Sequence, residues 1–200
     1  TRMRSSAASD VYKRQLLRYM RKKILFLAGM MACCSLAGAQ EISKTWVADK
    51  GNGTYQNPVL HADYSDPDVC AAGDDFYMTA SSFNCIPGIP ILHSNDLVNW
   101  SLVNYALPIQ EPEEFFDKAQ HGKGVWAPAI RFHNGEFYIY WGDPDYGIYM
   151  IKAKDPKGRW SKPVLVKAGK GMIDPTPLWD EDGKVYLVPV SYTHLRAHET

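Results

Sequence analysis

The sequence lacks the short motifs that mark several common classes of enzyme. It contains no glycine-rich phosphate-binding loop, no Gly-x-Ser-x-Gly nucleophile elbow, and no Cys/His cluster with the spacing of a metal site. These absences argue against nucleotide-dependent, serine-hydrolase and zinc-dependent chemistry. We therefore predict no metal site and no cofactor in this chain.

Cysteine is also scarce, with four residues in 200. Two of them fall in the N-terminal apolar segment described below, which leaves Cys70 and Cys85 for the folded part. A disulfide between these two is permitted in an exported protein. Their apolar, strand-like surroundings favour the alternative, in which each is a small buried thiol.

Runs of basic residues are absent from the central part of the chain. Residues 40–189 carry 13 Lys and Arg against 20 Asp and Glu, a net charge of about −7. Nucleic acid and anionic membranes are therefore poor candidates for partners, whereas a neutral substrate fits.

The two ends of the chain do not belong to the fold. Residues 1–19 and 190–200 resemble translated sequencing-adapter sequence, so we expect the natural protein to continue beyond residue 189. Residues 20–39 combine a basic start, a short apolar run and small residues before Gln40, which predicts a signal peptide cleaved near Ala39. We expect plain cleavage rather than a lipid anchor at Cys33, and an exported, periplasmic or extracellular protein.

A repeated unit organises residues 40–189, which we predict to be a single domain. An Asp-Pro step precedes a short apolar strand at Asp66 and again at Asp174, and a third copy keeps the proline but has Ala127 in place of the aspartate. The proline precedes a tyrosine by 10, 10 and 11 residues in the three copies, at Tyr77, Tyr138 and Tyr186.

Each copy also places a glycine beside Asp or Asn shortly before its tyrosine, as a tight hairpin requires. Short strands repeated in this way, with no helical segment between copies, are typical of the blades of a β-propeller. The predicted fold class is therefore all-β.

The repeat suggests a reactive site. Equivalent positions of successive blades converge near the propeller axis, so Asp66 and Asp174 are predicted to share one pocket. Two converging carboxylates suit glycosidic bond cleavage, one taking a proton from water and the other donating a proton or tuning its neighbour. Alternatively, each aspartate caps a turn. Phe83 and Trp126, at the same level, could pack within the blades or contact a sugar ring.

Taken together, the motifs resemble glycoside hydrolase family 43, and most closely its β-xylosidase and α-L-arabinofuranosidase members. The resemblance covers residues 57–188. It rests on an ordered set of short motifs: Asn-Pro-Val-Leu at 57–60, Ser-Asp-Pro-Asp-Val at 65–69, Ser-Ser-Phe at 81–83, Gly-Val-Trp-Ala-Pro at 124–128 and Ile-Asp-Pro at 173–175.

The resemblance implies a five-bladed β-propeller, truncated here to about two and a half blades, that hydrolyses terminal xylose or arabinose with inversion. It implies that Asp66 is the general base, that Asp174 orients the general acid and modulates its pKa, and that Phe83 and Trp126 line the sugar subsite. The family's general acid, a Glu, is absent from this chain, so we expect the chain alone to be inactive and poorly soluble. Calcium occurs in the family, but its ligands are not found here.

Two other functions remain open for the full-length protein. A sugar-binding propeller without catalysis would need the aromatic residues but neither aspartate. A fructan-cleaving propeller would use a carboxylate nucleophile and retain the anomeric configuration.

Overall fold

The computed structural model describes residues 45–191, except Cys85, and from Trp46 onward these belong to one compact unit. The segments predicted as adapter-derived at 1–19 and as a signal peptide at 20–39 lie outside the described residues. The same is true of residues 192–200, whereas residues 190 and 191, assigned above to the C-terminal tail, belong to the last strand and pair with Ile173 and Met172. The proposed origin of these segments stays a prediction.

The described part is built from β-strands, with one single-turn helix, α1, at Glu113–Phe116. The strands are β1 Asp68–Ala72, β2 Asp75–Thr79, β3 Gly88–Ser94, β4 Ser101–Leu107, β5 Trp126–His133, β6 Glu136–Asp143, β7 Gly147–Ala153, β8 Val164–Ala168, β9 Met172–Trp179 and β10 Val185–Ser191.

These strands form successive antiparallel sheets in chain order. Strands β1 to β4 make one four-stranded sheet, β5 to β8 make a second, and β9 pairs with β10. The first strands of successive sheets are neighbours, since β1 packs on β5 and β5 packs on β9. Two complete blades and half of a third are therefore present, and the predicted all-β propeller arrangement is confirmed.

The strand register shows that the sequence repeat is a structural repeat. The repeated tyrosine lies opposite the residue three positions after the repeated proline in every copy: Tyr77 opposite Cys70, Tyr138 opposite Arg131, and Tyr186 opposite Leu178. The one extra residue in the third copy is accommodated in the turn between β9 and β10, because the pairing on both sides of that turn is kept.

The turns have the backbone conformations that their residues favour. In the second copy Asn134 and Gly135 have φ of 50° and 78°, and they form the two-residue connection between β5 and β6. Both central residues of such a hairpin turn need positive φ, which Asn and Gly adopt at the lowest cost. Gly73 has φ of 64° in the first copy.

The core lies between the two complete blades. Strand β3 is buried on both faces, so its apolar residues run without alternation. Burial of each large apolar side chain contributes about 1.5–3 kcal/mol. The largest fully buried side chains of this cluster are Ile89, Ile91, Leu107, Ile130, Ile139, Ile151 and Trp141.

Cys70, one of the two candidate disulfide partners, is a free buried thiol, and burial raises its pKa to about 12. A thiol with so high a pKa is unreactive at neutral pH. The expectation of a small buried side chain is confirmed for Cys70.

The loop between the first two blades is more ordered than its sequence suggests. The charged residues at 108–123 indicate a surface loop between the first two blades, and Glu113 and Glu114 are indeed exposed. Within it, however, α1 buries Phe116, and the side chain of Gln110 is 1% exposed. Part of this loop is therefore packed against the blades.

A half-buried ion pair joins the first two blades at the level of β1. Asp68 Oδ2 accepts a hydrogen bond from the Ile130 backbone N–H at 2.8 Å and also binds Arg131 Nη1. Asp68 thus provides an acceptor for an amide and a partner for a guanidinium, both from β5.

Replacing Asp68 by Ala should destabilise the full-length protein by about 1.5–3 kcal/mol, the usual worth of a hydrogen bond to a charged group. Guanidinium unfolding followed by tryptophan fluorescence measures the loss. Asp74→Ala, at an exposed turn position, is the control. Adding Arg131→Met should recover part of the stability by removing the unpaired cation. A loss no larger than that of Asp74→Ala would contradict this role.

Candidate active site

The three repeated positions share an unusual backbone conformation. Asp66, Ala127 and Asp174 have φ of 50°, 34° and 50°. Positive φ is uncommon outside glycine and costs about 1–3 kcal/mol where the surrounding structure imposes it. The strain is therefore a property of the repeated unit and places equivalent side chains in equivalent positions.

Asp66 is exposed, and neighbouring hydroxyl groups hold its carboxylate. Ser65 Oγ donates to Asp66 Oδ2 at 3.0 Å, and Ser81 Oγ donates to the same oxygen at 2.6 Å. Among the described residues, none donates a hydrogen bond to Asp66 Oδ1. One oxygen is thus fixed by two hydroxyl groups, and the other has no donor among these residues.

Asp174 lies in β9, which belongs to the third copy of the repeat. The Asp174 side chain is exposed, yet partial desolvation by the surrounding protein raises its pKa, and the negative charge of Asp66 raises it further. A charge acts in this way only over a short distance. The two carboxyl groups therefore lie near enough to interact, while their sharing of one pocket stays a prediction.

Phe83 and Trp126 also meet. Their rings pack edge to face, with centroids 6.3 Å apart and an angle of 79° between the planes. Both are partly exposed, and Trp126 Nε1 donates to the Gly122 carbonyl oxygen at 2.8 Å. The two aromatic residues singled out in the sequence thus form one partly exposed surface.

Backbone pairing between the blades fixes this aromatic surface. Ser82 and Val125 exchange two hydrogen bonds of 3.0 and 2.9 Å, and the Gly124 N–H donates to the Phe83 carbonyl oxygen at 2.8 Å. A Cβ at Gly124 would lie 2.3 Å from the Ser82 carbonyl oxygen, so only glycine permits this approach. The glycine of Gly-Val-Trp-Ala-Pro has a packing role.

Trp126 also lines a cleft of about 390 Å³. Lys123 and Asp145 form an ion pair of 3.2 Å at this cleft. Asp143, which also lines it, is 2% exposed, and burial raises its pKa. Asp143 Oδ1 accepts hydrogen bonds from the backbone N–H groups of Asp145 and Tyr146, at 2.8 and 3.1 Å. Asp143 therefore shapes the β6–β7 turn beside Trp126.

Asp143 and Ser81 were not predicted from the sequence as residues of the site. Asp143 belongs to a Gly-Asp-Pro-Asp stretch whose turn character was the available signal. Ser81 stands four residues after the repeated Tyr77, where the second copy has Gly142. That difference between copies marks Ser81 as a departure from the repeat.

Between residues 45 and 191, Cys85 aside, no three His, Cys, Asp or Glu side chains are grouped so that they could hold a metal ion. Within the same range, no helix is both long and apolar enough to cross a bilayer. The expectation that no cofactor is needed stays a prediction.

Comparison with known proteins places the chain among glycosidases. The family model described as glycosyl hydrolases family 43 matches residues 55–199. A putative beta-xylosidase from Xylanibacter ruminicola is 40% identical over 145 residues, which cover 72% of this chain and 27% of that protein. A non-reducing end alpha-L-arabinofuranosidase from Bacteroides ovatus is 38% identical over 139 residues, which cover 68% of this chain and 26% of that protein.

Solved structures agree with this assignment. A family 43 protein from Bacillus licheniformis has a TM-score of 0.59 at 36% identity, covering 68% of this chain and 29% of that one. A family 43 protein of the Bacteroides ovatus xyloglucan locus has a TM-score of 0.57 at 32% identity, covering 68% of this chain and 27% of that one. The chain thus spans roughly a quarter of the length of the curated relatives it matches. Its predicted fold, part of a five-bladed β-propeller, is confirmed, and the chain belongs to glycosyl hydrolase family 43.

Proposed function

We propose that the full-length protein is an exported exo-glycosidase that removes terminal xylose or arabinose from plant-wall oligosaccharides by an inverting mechanism. The observation that carries the proposal is the same backbone conformation at Asp66 and Asp174, from separate repeats, together with the electrostatic interaction of their carboxyl groups. Relatives named as beta-xylosidase and alpha-L-arabinofuranosidase support the substrate class. The signal-like segment at 20–39 supports export.

In this mechanism Asp66 is the general base. Its Oδ2 is held by two serine hydroxyls, which orients Oδ1 toward a water molecule on the far side of the sugar from the leaving group. Inversion requires room for that water, so the acid and base carboxyl groups stand roughly 6.5 to 9.5 Å apart. We place the general acid, a Glu, in the part of the protein beyond this chain.

Asp174 tunes the acid. Its pKa is raised, and when ionised its negative charge makes a neighbouring carboxylic acid hold its proton more tightly. That is what a general acid needs in order to remain protonated near neutral pH.

Phe83 and Trp126 receive the terminal sugar. A pyranose or furanose ring has apolar C–H faces and polar edges, and an exposed edge-to-face aromatic pair provides a complementary apolar wall.

The direct test is hydrolysis of nitrophenyl β-xyloside and nitrophenyl α-L-arabinofuranoside by the full-length protein. NMR of the first-formed sugar should show the anomer opposite to that of the substrate. Retention would overturn the inverting mechanism and favour a fructan-type site with a carboxylate nucleophile. Binding of xylo-oligosaccharides without hydrolysis would instead identify a sugar-binding propeller.

A further inference from the structure

Ser81 joins the base to the neighbouring blade. It lies two residues after the end of β2, and its hydroxyl donates to Asp66 Oδ2 at 2.6 Å while accepting the Ala127 backbone N–H at 2.9 Å. An ionised carboxylate can only accept and an amide N–H can only donate, so the direction of both hydrogen bonds is fixed. Rotation of the Ser81 side chain about its Cα–Cβ bond would break both hydrogen bonds.

The other copies of the repeat show that the blade fold does not need this hydroxyl. Four residues after the repeated tyrosine, the second copy has Gly142 and the third has Val190. A Cβ at Gly142 would lie 2.6 Å from the Met172 carbonyl oxygen, so the second and third blades meet there by direct backbone packing. The serine occurs in the copy that carries Asp66.

We propose that Ser81 is a positioning residue for the reaction and holds the Asp66 carboxylate in its productive rotamer. This inference rests on the proposed function. Asp66 is exposed, and without Ser81 only the hydroxyl of the adjacent Ser65, at 3.0 Å, would restrain its carboxylate. The side chain would then rotate more freely among orientations, few of which aim Oδ1 at the attacking water.

The same hydroxyl links Asp66 to the aromatic surface that Phe83 and Trp126 form. Ala127 directly follows Trp126, and the Ala127 N–H is one of the two partners of the Ser81 hydroxyl. The Ser81 hydroxyl therefore fixes the position of the Asp66 carboxylate relative to the backbone that carries Trp126. A base held in this way keeps the same distance and orientation to a sugar ring bound at Trp126.

The experiment compares Ser81→Ala with wild type in the full-length protein. Loss of a group that orients a reacting side chain typically costs about 10- to 100-fold in activity. We expect kcat to fall by that factor. KM should be nearly unchanged because the aromatic surface of Phe83 and Trp126 stays intact. The factor should be the same for nitrophenyl xyloside and for xylobiose, because activation of water, and not protonation of the leaving group, is impaired.

Matched variants separate positioning from stability. Ser161 Oγ also accepts a strand N–H, that of Lys152 at 3.0 Å, and donates to a carbonyl oxygen at 3.1 Å, so Ser161→Ala removes the same kind of bridge elsewhere. It should leave kcat unchanged. Ser81→Thr keeps the hydroxyl and should restore most of the activity. Ser81→Cys has a similar side-chain volume but only a weak S–H donor. It replaces the alanine variant in this comparison if that variant folds poorly.

The outcomes are distinguishable. An inactive wild-type protein would overturn the proposed function and this inference together. An active wild type with an equally active Ser81→Ala variant would overturn the inference alone. A fall in kcat that Thr does not restore, or one matched by Ser161→Ala, would show that the hydroxyl has only a structural role and would also overturn it.

Discussion

Replacing Asp66 by Asn should lower kcat of the full-length enzyme by about 10²- to 10⁴-fold, the usual contribution of a general base. The amide cannot take a proton from water at any pH of interest. Its carbonyl oxygen can still accept the hydrogen bonds from Ser65 and Ser81, and Asn tolerates positive φ better than most residues. The melting temperature should therefore be close to that of wild type, which separates lost chemistry from lost fold.

Asp63→Asn is the matched control for this variant. Asp63 is an exposed aspartate three positions upstream and contributes the same change of charge. We expect wild-type turnover from the control with nitrophenyl xyloside and nitrophenyl arabinofuranoside. If Asp66→Asn also hydrolysed these substrates at near wild-type rate, the assignment of Asp66 as the base would be wrong.

Replacing Asp174 by Asn should move the basic limb of the pH profile of kcat/KM to lower pH by about one unit or more. The reason is that the general acid loses the negative charge that helps it hold its proton. KM should change little.

The Asp174→Asn substitution should also change the stability of the protein. The pKa of Asp174 is raised above its ordinary value of 3.8, so the folded protein binds the proton more tightly than the unfolded chain does. The ionised carboxylate therefore costs stability at pH values above the folded pKa, and this cost disappears as the pH falls below 3.8. Asp174→Asn should have a higher melting temperature than wild type at neutral pH and an equal one in acid.

A pH profile that does not move would contradict the tuning role of Asp174. So would a variant whose main defect is a higher KM, because that would identify Asp174 as a sugar-binding residue. If the loss of kcat were much larger for xylobiose than for nitrophenyl xyloside, the proton donated to the leaving group would be implicated, as the tuning role requires.

The features that the sequence predicted well are those decided by neighbouring residues. Asn134 and Gly135 specify a two-residue turn because they adopt positive φ at low cost, and the strands on either side then pair in one register. The same local chemistry in each copy made the repeat visible. From the repeat followed the propeller arrangement, whereas the shared pocket of Asp66 and Asp174 stays a prediction.

The features that the sequence did not predict depend on partners far along the chain. Gln110 and Phe116 are buried in a segment whose charged residues indicated a surface loop, and the Phe116 ring packs against Tyr146 of the second blade. The sequence around Asp143 indicated only a turn, yet Asp143 is buried beside Trp126 of the aromatic surface. Burial of a loop residue depends on what packs over it, and local composition carries little of that information.

Local residue preferences specify the repeat, the turns that separate its strands, and the kinds of side chain at the site. The Ser81 hydroxyl, in contrast, lies between a carboxylate 15 residues away and an amide 46 residues away, a placement that depends on how the blades pack. Turns are set by the φ preferences of adjacent residues, whereas a hydrogen bond between blades exists only after the blades have packed.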